Sequence, residues 1–351
     1  MQSVSATEFI SLSAKHPVID VRTPAEFEHG HIPGAVNIPL FTNEDRVVVG
    51  TLYKEHGKKP AMLKGMELAG PRFAEYIHKA EQISAEGTLL VHCWRGGMRS
   101  AGMAWLFEWY GFKVITLQKG YKAFRTMVLE TFAKSYNLSM LSGRTGSGKT
   151  LILRELEKQG KPVLDLEQIA CHKGSAFGTL GEKPQPTQEM FENECAIRLL
   201  HLQNDEAIWV EDESQNIGKC VLPNSFWNQM RAAQVLLVDI PVEKRVEYLT
   251  TEYGKYSKED LIVSIEKIRK RLGNQHAKAA IEAIHTGDLK KACEISLVYY
   301  DKSYNHGAAK RNSSTIHKMS FEELTPEKIA NEIIATSLNK KSGTSPHFLL
   351  F

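Results

Sequence analysis

Cysteines are few in this sequence, and they follow none of the spacings that bind zinc or build disulfide frameworks. There are five, an odd number; they lie far apart and include neither a CxxC pair nor a paired-histidine motif. This pattern argues against a disulfide-stabilised fold and against a structural zinc site. The cysteines are Cys93, Cys171, Cys195, Cys220 and Cys293.

Long apolar runs and targeting signals are also missing. No stretch reaches the roughly 18 consecutive apolar residues of a membrane span. The first 17 residues have no basic residue ahead of their apolar positions and no clean apolar core, so they do not resemble a signal peptide. We therefore expect a cytoplasmic protein without a membrane partner.

A strong excess of one charge is absent, because the formal net charge is only +3. Composition thus permits an anionic partner such as a nucleic acid without requiring one. With 42% hydrophobic and 24% charged residues, the composition is that of a globular protein. The length of 351 residues exceeds one average domain and predicts two.

Short apolar runs rich in β-branched residues alternate with helical patterns along the chain, which is typical of α/β domains. A helix is predicted over residues 100–110, ending at Gly111. Strands are predicted in two series, first at 17–21, 88–92 and 114–117, then at 138–141, 162–166, 207–211 and 235–239.

The two series predict an N-terminal domain over residues 1–134 and a second domain over 135–338. Residues 121–137 are helical in pattern and are interpreted as a short connector. From about residue 258 the pattern changes to polar, basic helices, which form the C-terminal part of the second domain. The tail, 339–351, is rich in Lys, Ser and Gly and is predicted to be mobile.

A glycine-rich loop surrounds Cys93 in the segment VHCWRGGMRSAGMAW, between a predicted buried strand and a helix. Backbone N–H groups and a helix N-terminus converge in such a loop and stabilise anions. Together with Arg95 and Arg99 they would stabilise a thiolate, which makes Cys93 a candidate nucleophile. The alternative is a buried structural cysteine.

The segment DVRTPAEFEHGHIPGAVNIPLF, residues 20–41, completes a resemblance to the rhodanese superfamily over residues 5–130. The resemblance implies a rhodanese-like α/β domain in which Cys93 carries a persulfide or selenide and Arg99 holds an anionic donor. It also implies that Asp20 and Arg22 brace the loop. Fold maintenance is the alternative role for these two residues and for Glu26, His31 and Asn37.

The spacing from Cys93 to Arg99 is one residue wider than in most small rhodaneses and fits HCx5RS, the signature of protein tyrosine phosphatases. In those enzymes a thiolate attacks phosphorus and the arginine binds the phosphate oxygens. The wider loop therefore accommodates a tetrahedral oxyanion such as phosphate or selenophosphate.

The segment GRTGSGKT, residues 143–150, fits the phosphate-binding pattern GxxxxGK[ST] in full, follows an apolar strand and opens a helix. It predicts that the second domain is a P-loop NTPase-like α/β domain. Lys149 would bind the terminal phosphates of a di- or triphosphate, and Thr150 would ligate Mg²⁺. The glycines that let the backbone cradle the phosphates are Gly143, Gly146 and Gly148.

An acidic cluster follows the predicted strand 207–211, where P-loop proteins keep the carboxylate that holds Mg²⁺ through water. Asp212 is the first choice for this carboxylate, with Glu211 and Glu213 as alternatives. Asp165, which ends another predicted strand, is either a substrate-side base or an exposed strand-end carboxylate.

The fusion of these two domains resembles the tRNA 2-selenouridine synthase family. Further phrases that carry the resemblance are residues 43–65, LEQIACHKGSAFG at 166–178, VEDESQNIG at 210–218 and LVYYDKSY at 297–304. It implies a transferase that replaces sulfur by selenium in the wobble 2-thiouridine of tRNA, using selenophosphate. It also implies attachment of a geranyl group to that sulfur from geranyl diphosphate.

The same resemblance implies that the phosphate loop holds the prenyl diphosphate, with Mg²⁺ as a candidate ion, and does not hydrolyse ATP. The implied partners are the anticodon region of tRNA and an enzyme that supplies selenophosphate. Basic residues at 267–271, Lys290 and Lys291 would neutralise tRNA phosphates, unless they only solvate a helix face. Trp94, Tyr299 and Tyr300 would stack a base or line a prenyl pocket, with core packing as the alternative.

Two other classes of function remain open from the residues alone. One is an HCx5R phosphatase fused to a nucleotide-dependent kinase. The other is a non-catalytic, nucleotide-gated binding module. Release of phosphate from a generic aryl phosphate would favour the first, and tight nucleotide binding without turnover the second.

Overall fold

The computed structural model describes residues 2–84, 86–202, 206–308, 311 and 313–341. The chain divides into two compact units: one contains 1–132 and 187–197, and the other contains 133–186 and 198–351. Each is built on a parallel sheet flanked by helices, which confirms the predicted α/β class. No helix within these described ranges has both the length and the apolarity to cross a membrane.

The first unit has a five-stranded parallel sheet in the order β1-β5-β4-β2-β3. Its strands are β1 (Gln2–Val4), β2 (Val18–Asp20), β3 (Val36–Asn37), β4 (Thr88–His92) and β5 (Lys113–Leu117). Its helices are α1 (Ala6–Ser13), α2 (Pro24–His29), α3 (Asn43–His56), α4 (Lys58–Ala69), α5 (Phe73–Ile83), α6 (Met98–Tyr110) and α7 (Gly120–Ala133).

Strand β4 lies at the centre of this sheet, and Leu89, Leu90 and Val91 are fully buried. A parallel strand covered by helices on both faces reads as a continuous apolar run, and the sequence TLLVH has that pattern. The loop that follows β4 lies at the carboxyl edge of the sheet, where α/β folds bind their ligands.

The predicted connector at 121–137 is helical, but its helix belongs to the core of the first unit. Tyr121, Phe124, Val128 and Phe132 on α7 are buried almost completely. Their spacing puts them on one face of the helix, which is therefore its buried face. The segment interpreted as a connector therefore belongs to the first unit as far as Phe132.

The second unit has a five-stranded parallel sheet in the order β12-β11-β6-β8-β7 and a short antiparallel pair, β9 and β10. Its strands are β6 (Leu138–Ser142), β7 (Val163–Leu164), β8 (Ile208–Glu211), β9 (Asn216–Ile217), β10 (Cys220–Val221), β11 (Gln234–Asp239) and β12 (Ile316–Ser320). The helices after β6 are α8 (Lys149–Lys158), α9 (Leu166–Ala170), α10 (Gln188–His201), α11 (Asn224–Ala232), α12 (Val242–Tyr253), α13 (Lys258–Leu272), α14 (Asn274–Thr286), α15 (Leu289–Ala308) and α16 (Pro326–Lys341).

The C-terminal part of the second unit consists of helices α13 to α16 and one strand that the sequence did not predict. Strand β12 pairs in parallel with β11 and forms the edge of the sheet. Helix α16 packs beside α8, with Ile329, Ala330 and Ile333 buried in the same cluster as the apolar face of α8. The predicted tail, 339–351, lies outside the described residues except for its first three positions, which end α16.

Helix α10 is divided between the units. Its residues up to 197 belong to the first unit, and those from 198 belong to the second. The sequence boundary near residue 135 lies close to the chain's first change of unit, at 132–133, but it did not include this later segment. The segment 187–197 joins the first unit through long-range contacts that leave no local pattern in the sequence.

Candidate functional site

Cys93 lies directly after the carboxyl end of β4 and begins the loop 93–97 that leads into α6. Its sulfur Sγ accepts a hydrogen bond from the backbone N–H of Gly97 at 3.4 Å and lies 3.2 Å from the hydroxyl oxygen of Ser100. The residue is only 3% exposed. The N–H group and the N-terminus of α6 provide positive partial charge beside the sulfur, which suits a thiolate or another anion.

Arg99, for which the rhodanese resemblance implies binding of an anionic donor, is bound by Glu26. Its guanidinium donates to Oε2 of Glu26 at 2.6 Å and to Oε1 at 3.2 Å. Burial alone would raise the pKa of Glu26, but the hydrogen bonds and charge of Arg99 outweigh it and hold that pKa below its ordinary value. An anion that reaches the loop therefore shares Arg99 with this carboxylate.

The two other candidates in the loop differ in exposure. The side chain of Arg95 is exposed, whereas Trp94 is half-buried. The ring of Trp94 lies 5.7 Å from that of Tyr121, and the guanidinium of Arg22 lies 5.9 Å from the centre of the indole. Glu26 thus fixes one arginine of the loop, while the exposed Arg95 is accessible to a substrate.

A buried ion pair lies behind the loop, between Asp20 and Arg22. Nη2 of Arg22 donates to Asp20 at 2.6 Å and to the carbonyl oxygen of Gly30 at 2.7 Å, and its guanidinium lies 3.8 Å from the ring centre of Tyr121. His92 lies beside this pair, with Nε2 3.8 Å from Asp20, and burial lowers its pKa. These contacts join the ends of β2 and β4 to the elements around them.

Asn37 and His31, whose alternative role was fold maintenance, make local structural contacts. The amide of Asn37 donates to the carbonyl oxygens of Asp20 at 2.8 Å and of Arg22 at 3.0 Å. The ring of His31 stacks on Phe27 with 3.8 Å between the ring centres. Neither contact involves the sulfur of Cys93.

Two glycines allow the backbone to close tightly around the cysteine loop. Gly96 has φ 64° and Gly120 has φ 60°. A Cβ atom on Gly120 would lie 2.3 Å from the carbonyl oxygen of Cys93 and 2.4 Å from the nitrogen of Gly96. The N–H of Tyr121 then donates to the same carbonyl at 2.8 Å. Sequence reasoning missed Gly120, because the element it contacts is distant along the chain.

The first turns of α10 add a polar network that sequence reasoning also missed. The hydroxyl of Tyr121 donates to Oε1 of Glu189 at 2.8 Å and accepts from Nδ2 of Asn193 at 2.8 Å. Asn193 is fully buried and also donates to the carbonyl oxygen of His31 at 2.8 Å. Burial raises the pKa of Tyr121. The segment contains no recognisable motif, so only the tertiary fold shows that it supports the cysteine loop.

The phosphate loop of the second unit connects β6 to α8. Gly146 and Gly148 have φ values of 84° and 72°, which side-chain-bearing residues rarely adopt. Nζ of Lys149 donates to the carbonyl oxygen of Gly143 at 3.0 Å, so the lysine folds back over the loop. A Cβ on Gly143 would lie 2.3 Å from the hydroxyl oxygen of Ser147. The loop therefore has the strand, glycines and helix that the sequence predicted.

Carboxylates crowd beside this loop. The hydroxyl of Thr150 donates to Oε2 of Glu167 at 2.9 Å. Burial, followed by repulsion from Glu167, raises the pKa of Glu213 to about 8. Burial also raises the pKa of Glu167, although the charge of Lys149 opposes this. Glu211 is completely buried, and burial raises its pKa well above the ordinary value. Burial therefore keeps these carboxyls harder to ionise, and the charge of Lys149 only partly offsets it.

The structure gives Asp212, the first sequence choice for Mg²⁺, other partners. Its carboxylate accepts hydrogen bonds from the hydroxyl of Ser142, at 2.7 Å, and from the guanidinium of Arg311. Asp165 is buried and caps α9 by accepting from the N–H of Gln168 at 2.7 Å, so it is not an exposed strand-end carboxylate. Glu167 contacts Thr150 directly. The sequence predicted no role for Glu167, whose segment, 166–178, contributes only to the resemblance to the family.

The fit of Mg²⁺ to this cluster rests on its carboxylates. The part of the chain that the structure describes contains no group of three His, Cys, Asp or Glu side chains arranged to hold a metal ion. Mg²⁺ at phosphate sites is held by one or two carboxylates, waters and the phosphates themselves. Thr150, Glu167 and Glu213 fit that mode, because a divalent cation would favour the ionised form of carboxyls whose pKa values are raised by burial and, secondarily, by their mutual repulsion.

The segment LVYYDKSY fixes the phosphate loop from α15. Asp301 accepts two hydrogen bonds from the buried Arg245, at 2.8 and 2.7 Å, and Arg245 also donates to the carbonyl oxygen of Thr145 at 3.1 Å. The hydroxyl of Tyr304 lies 2.8 Å from that of Ser142. The segment 297–304 therefore supports the phosphate loop and β6, a role that its sequence did not predict.

The other residues considered for tRNA binding lie on helices α13 and α15. Tyr299 and Tyr300 pack against the apolar cluster of α13 to α15, and burial raises the pKa of Tyr300 to about 12. Arg269 is paired with Glu266 at 2.5 Å. The remaining basic side chains, Lys267, Lys270, Arg271, Lys290 and Lys291, are exposed.

The fold and the two loops define a protein with a rhodanese-like domain that carries the cysteine and a P-loop domain that carries the phosphate loop. A sequence model of the rhodanese-like domain matches residues 5–127. A model described as the tRNA 2-selenouridine synthase AAA domain matches residues 136–331. The chain therefore belongs to the tRNA 2-selenouridine synthase family, which confirms the resemblance found in the sequence.

Similar proteins match over most of their length. The tRNA 2-selenouridine synthase of Nitrosomonas eutropha is 34% identical over 310 residues, covering 86% of this chain and 76% of the relative. That of Shewanella denitrificans is 34% identical over 359 residues, covering 90% and 95%. That of Shewanella sediminis is 36% identical over 357 residues, covering 91% and 95%.

Proposed function

We propose that this protein converts the wobble 2-thiouridine of tRNA to 2-selenouridine through an S-geranylated intermediate. One observation carries the proposal. This member of the family has both a buried cysteine in an anion-binding loop and a complete phosphate loop. A tRNA substrate agrees with the cytoplasmic location expected from the sequence.

In the first step the phosphate loop holds geranyl diphosphate. The backbone of the loop and Lys149 bind the diphosphate, and Mg²⁺ at Thr150 and the neighbouring carboxylates would neutralise its charge. The thiocarbonyl sulfur attacks C1 of the geranyl group, the carbon–oxygen bond breaks, diphosphate leaves, and the base loses its N3 proton. Gly143, Gly146 and Gly148 allow the backbone to approach the phosphates closely.

In the second step selenium replaces the geranylated sulfur at C2. Selenophosphate supplies hydrogen selenide as its phosphorus–selenium bond is hydrolysed to phosphate. Selenium attacks C2, the carbon–sulfur bond breaks, and the sulfur leaves as geranylthiol after taking a proton from solvent. We assign selenium handling to Cys93 and binding of the anionic donor to Arg95 and Arg99, because the N–H groups and arginines of the loop favour anions.

The test is mass spectrometry of wobble nucleosides from cells that lack the gene and carry plasmid-borne variants. Cys93→Ser changes one atom, so it should keep the fold and geranylation but abolish selenouridine. Cys171→Ser, at a half-buried cysteine outside the loop, is the matched control and should retain both modifications. Undiminished selenouridine with Cys93→Ser would remove this residue from the mechanism.

The phosphatase alternative has one observation in its favour, the HCx5RS spacing of the cysteine loop. It predicts that the purified protein releases phosphate from an aryl phosphate and that Cys93→Ser abolishes this release. The proposed function predicts no such turnover.

A further inference from the structure

A large cleft opens beside the cysteine loop, and neither step of the proposed function has used it. It has a volume of about 810 Å³ and lies between the helical hairpin α3–α4 and the start of α6. We call it the hairpin cleft. Its lining is mainly apolar and includes Val47, Tyr53, Met62, Met66, Met98 and Trp105.

Most of the large apolar residues of the hairpin lie outside the core of the unit. Helix α3 buries none of its residues, and α4 buries only Ala61, Gly65 and Ala69. Val47 of α3 is 68% exposed and Met66 of α4 is 63% exposed; Trp105, on α6, is 55% exposed. Apolar side chains gathered around an open concave surface indicate a binding site, because folding alone gains nothing from leaving them in water.

The cleft is continuous with the cysteine loop. Met98 and Arg99 belong to that loop or to the first turn of α6, and both also line the cleft. A ligand bound at Cys93 through a polar end therefore has an apolar surface next to it. Arg46 and Lys54 line the same cleft and add positive charge for a phosphate-bearing ligand.

We propose that the hairpin cleft binds the geranyl chain of the S-geranylated base while selenium enters at C2, and then holds the departing geranylthiol. The proposal rests on the proposed function and adds a site for the leaving group. The cleft lies within the range of about 300–1,000 Å³ that ligand pockets occupy. Its methionines and aromatic rings suit a flexible, branched alkenyl chain.

The hairpin itself offers matched variants. Val47 and Met66 line the cleft, whereas Val48 and Leu63 lie on the same two helices outside its lining and are 44% and 62% exposed. The double variant Val47→Thr/Met66→Gln makes the cleft more polar at nearly constant volume. The control, Val48→Thr/Leu63→Gln, makes the same kind of change on α3 and α4 outside the lining of the cleft.

The experiment uses the full chain and an anticodon stem-loop RNA that carries either S-geranyl-2-thiouridine or 2-thiouridine at the wobble position. Binding is measured by fluorescence anisotropy, and selenouridine formation from the geranylated RNA by mass spectrometry with selenophosphate. The wild type should bind the geranylated RNA more tightly. Val47→Thr/Met66→Gln should raise KM for it about tenfold, whereas the control should change KM less than about twofold.

Each other outcome overturns the proposal in a distinguishable way. If the wild type makes selenouridine from the geranylated RNA and both double variants behave like it, the chain binds elsewhere and the proposed function stands. If the wild type makes none from either RNA, the proposed function fails as well. If Val47→Thr/Met66→Gln instead abolishes a concentration-dependent dimer and leaves geranyl preference intact, the cleft pairs two copies of the chain.

Discussion

The carboxylate of Glu26 binds both terminal nitrogens of Arg99, at 2.6 and 3.2 Å. The arginine at the edge of the cysteine loop is therefore held in one orientation by the protein itself. Glu26 also accepts from the N–H of Thr23 in the capping box that begins α2. One carboxylate thus joins a helix terminus to the loop that carries the sulfur.

Glu26→Gln should separate these two roles. Glutamine still completes a capping box, so the free energy of unfolding at pH 7 should fall by no more than about 1 kcal/mol. The pair with Arg99 loses its charge, however, so the arginine is held less firmly and kcat for selenium transfer should fall about tenfold. Steady-state kinetics with varied selenophosphate measures this effect.

The pH dependence of stability gives a second readout of the same change. Because the pKa of Glu26 is lowered in the folded protein, its stabilising contribution is present above its ordinary value and is lost as the pH falls through the lower folded value. Wild type should therefore lose more stability on acidification than Glu26→Gln in urea unfolding. Parallel curves for the two proteins would show that the pair contributes nothing.

Lys149→Ala should reduce geranyl transfer to 2-thiouridine RNA by about a hundredfold or more, because charge-assisted contacts to a leaving diphosphate matter most in the transition state. The measurement is the rate of S-geranyl product formation with geranyl diphosphate. Lys158→Ala, at the exposed end of the same helix, is the control and should retain the wild-type rate. Normal geranyl transfer combined with loss of ATP hydrolysis would assign the loop to a nucleotide.

Glu213 should make the second unit less stable as the pH rises. Its pKa is raised to about 8, from an ordinary value of 4.5, mainly by burial. The stabilising contribution of the protonated carboxyl is fully present below pH 4.5 and is lost as the pH rises through about 8. Thermal unfolding from pH 5 to 9 should show this decline in wild type.

Glu213→Gln should flatten that decline, because the amide resembles the protonated carboxyl and does not titrate. Glu243→Gln, in the exposed first turn of α12, is the control and should keep the wild-type profile. If Glu213→Gln and wild type have the same pH profile, Glu213 is ionised in the folded protein across this range.

Gly120→Ala should destabilise the first unit by about 2 kcal/mol or more, since alanine at φ 60° is strained and its Cβ would overlap the carbonyl oxygen of Cys93. Thermal unfolding of the purified variant measures the loss. Gly70→Ala is the control: its φ is −51° and nothing lies within 4 Å of the added Cβ, so it should change stability by less than about 1 kcal/mol. Equal effects of the two substitutions would show that the close approach at Gly120 carries no cost.

The sequence predicted the central parts of both units because these are locally encoded. Strands β4, β6 and β8 are buried on both faces and appear as apolar runs, and a glycine-rich turn follows two of them. The edge strands β1 and β12 were missed, since a strand with one neighbour and exposed residues has no such run.

Most of the site residues that the sequence did not predict owe their roles to contacts with distant parts of the chain. In the sequence Gly120 is an ordinary residue at the start of a helix. Only the fold shows that the backbone of Cys93 lies against it and leaves no room for a side chain. Asp212 and Glu167 are similar acidic residues near strand ends, and only the fold directs one to Arg311 and the other to Thr150. Residue type and spacing indicate a chemistry, but the choice among equivalent carboxylates depends on tertiary packing.

Because α10 begins in one unit and ends in the other, the chain changes unit three times: after residues 132, 186 and 197. A gene cut after residue 134 would therefore separate the first unit from its segment 187–197. A fragment ending at residue 134 would lack Asn193 and leave the hydroxyl of Tyr121 without its two partners on α10. Studies of the rhodanese-like part in isolation should carry residues 187–197 as a grafted helix or a peptide supplied in trans.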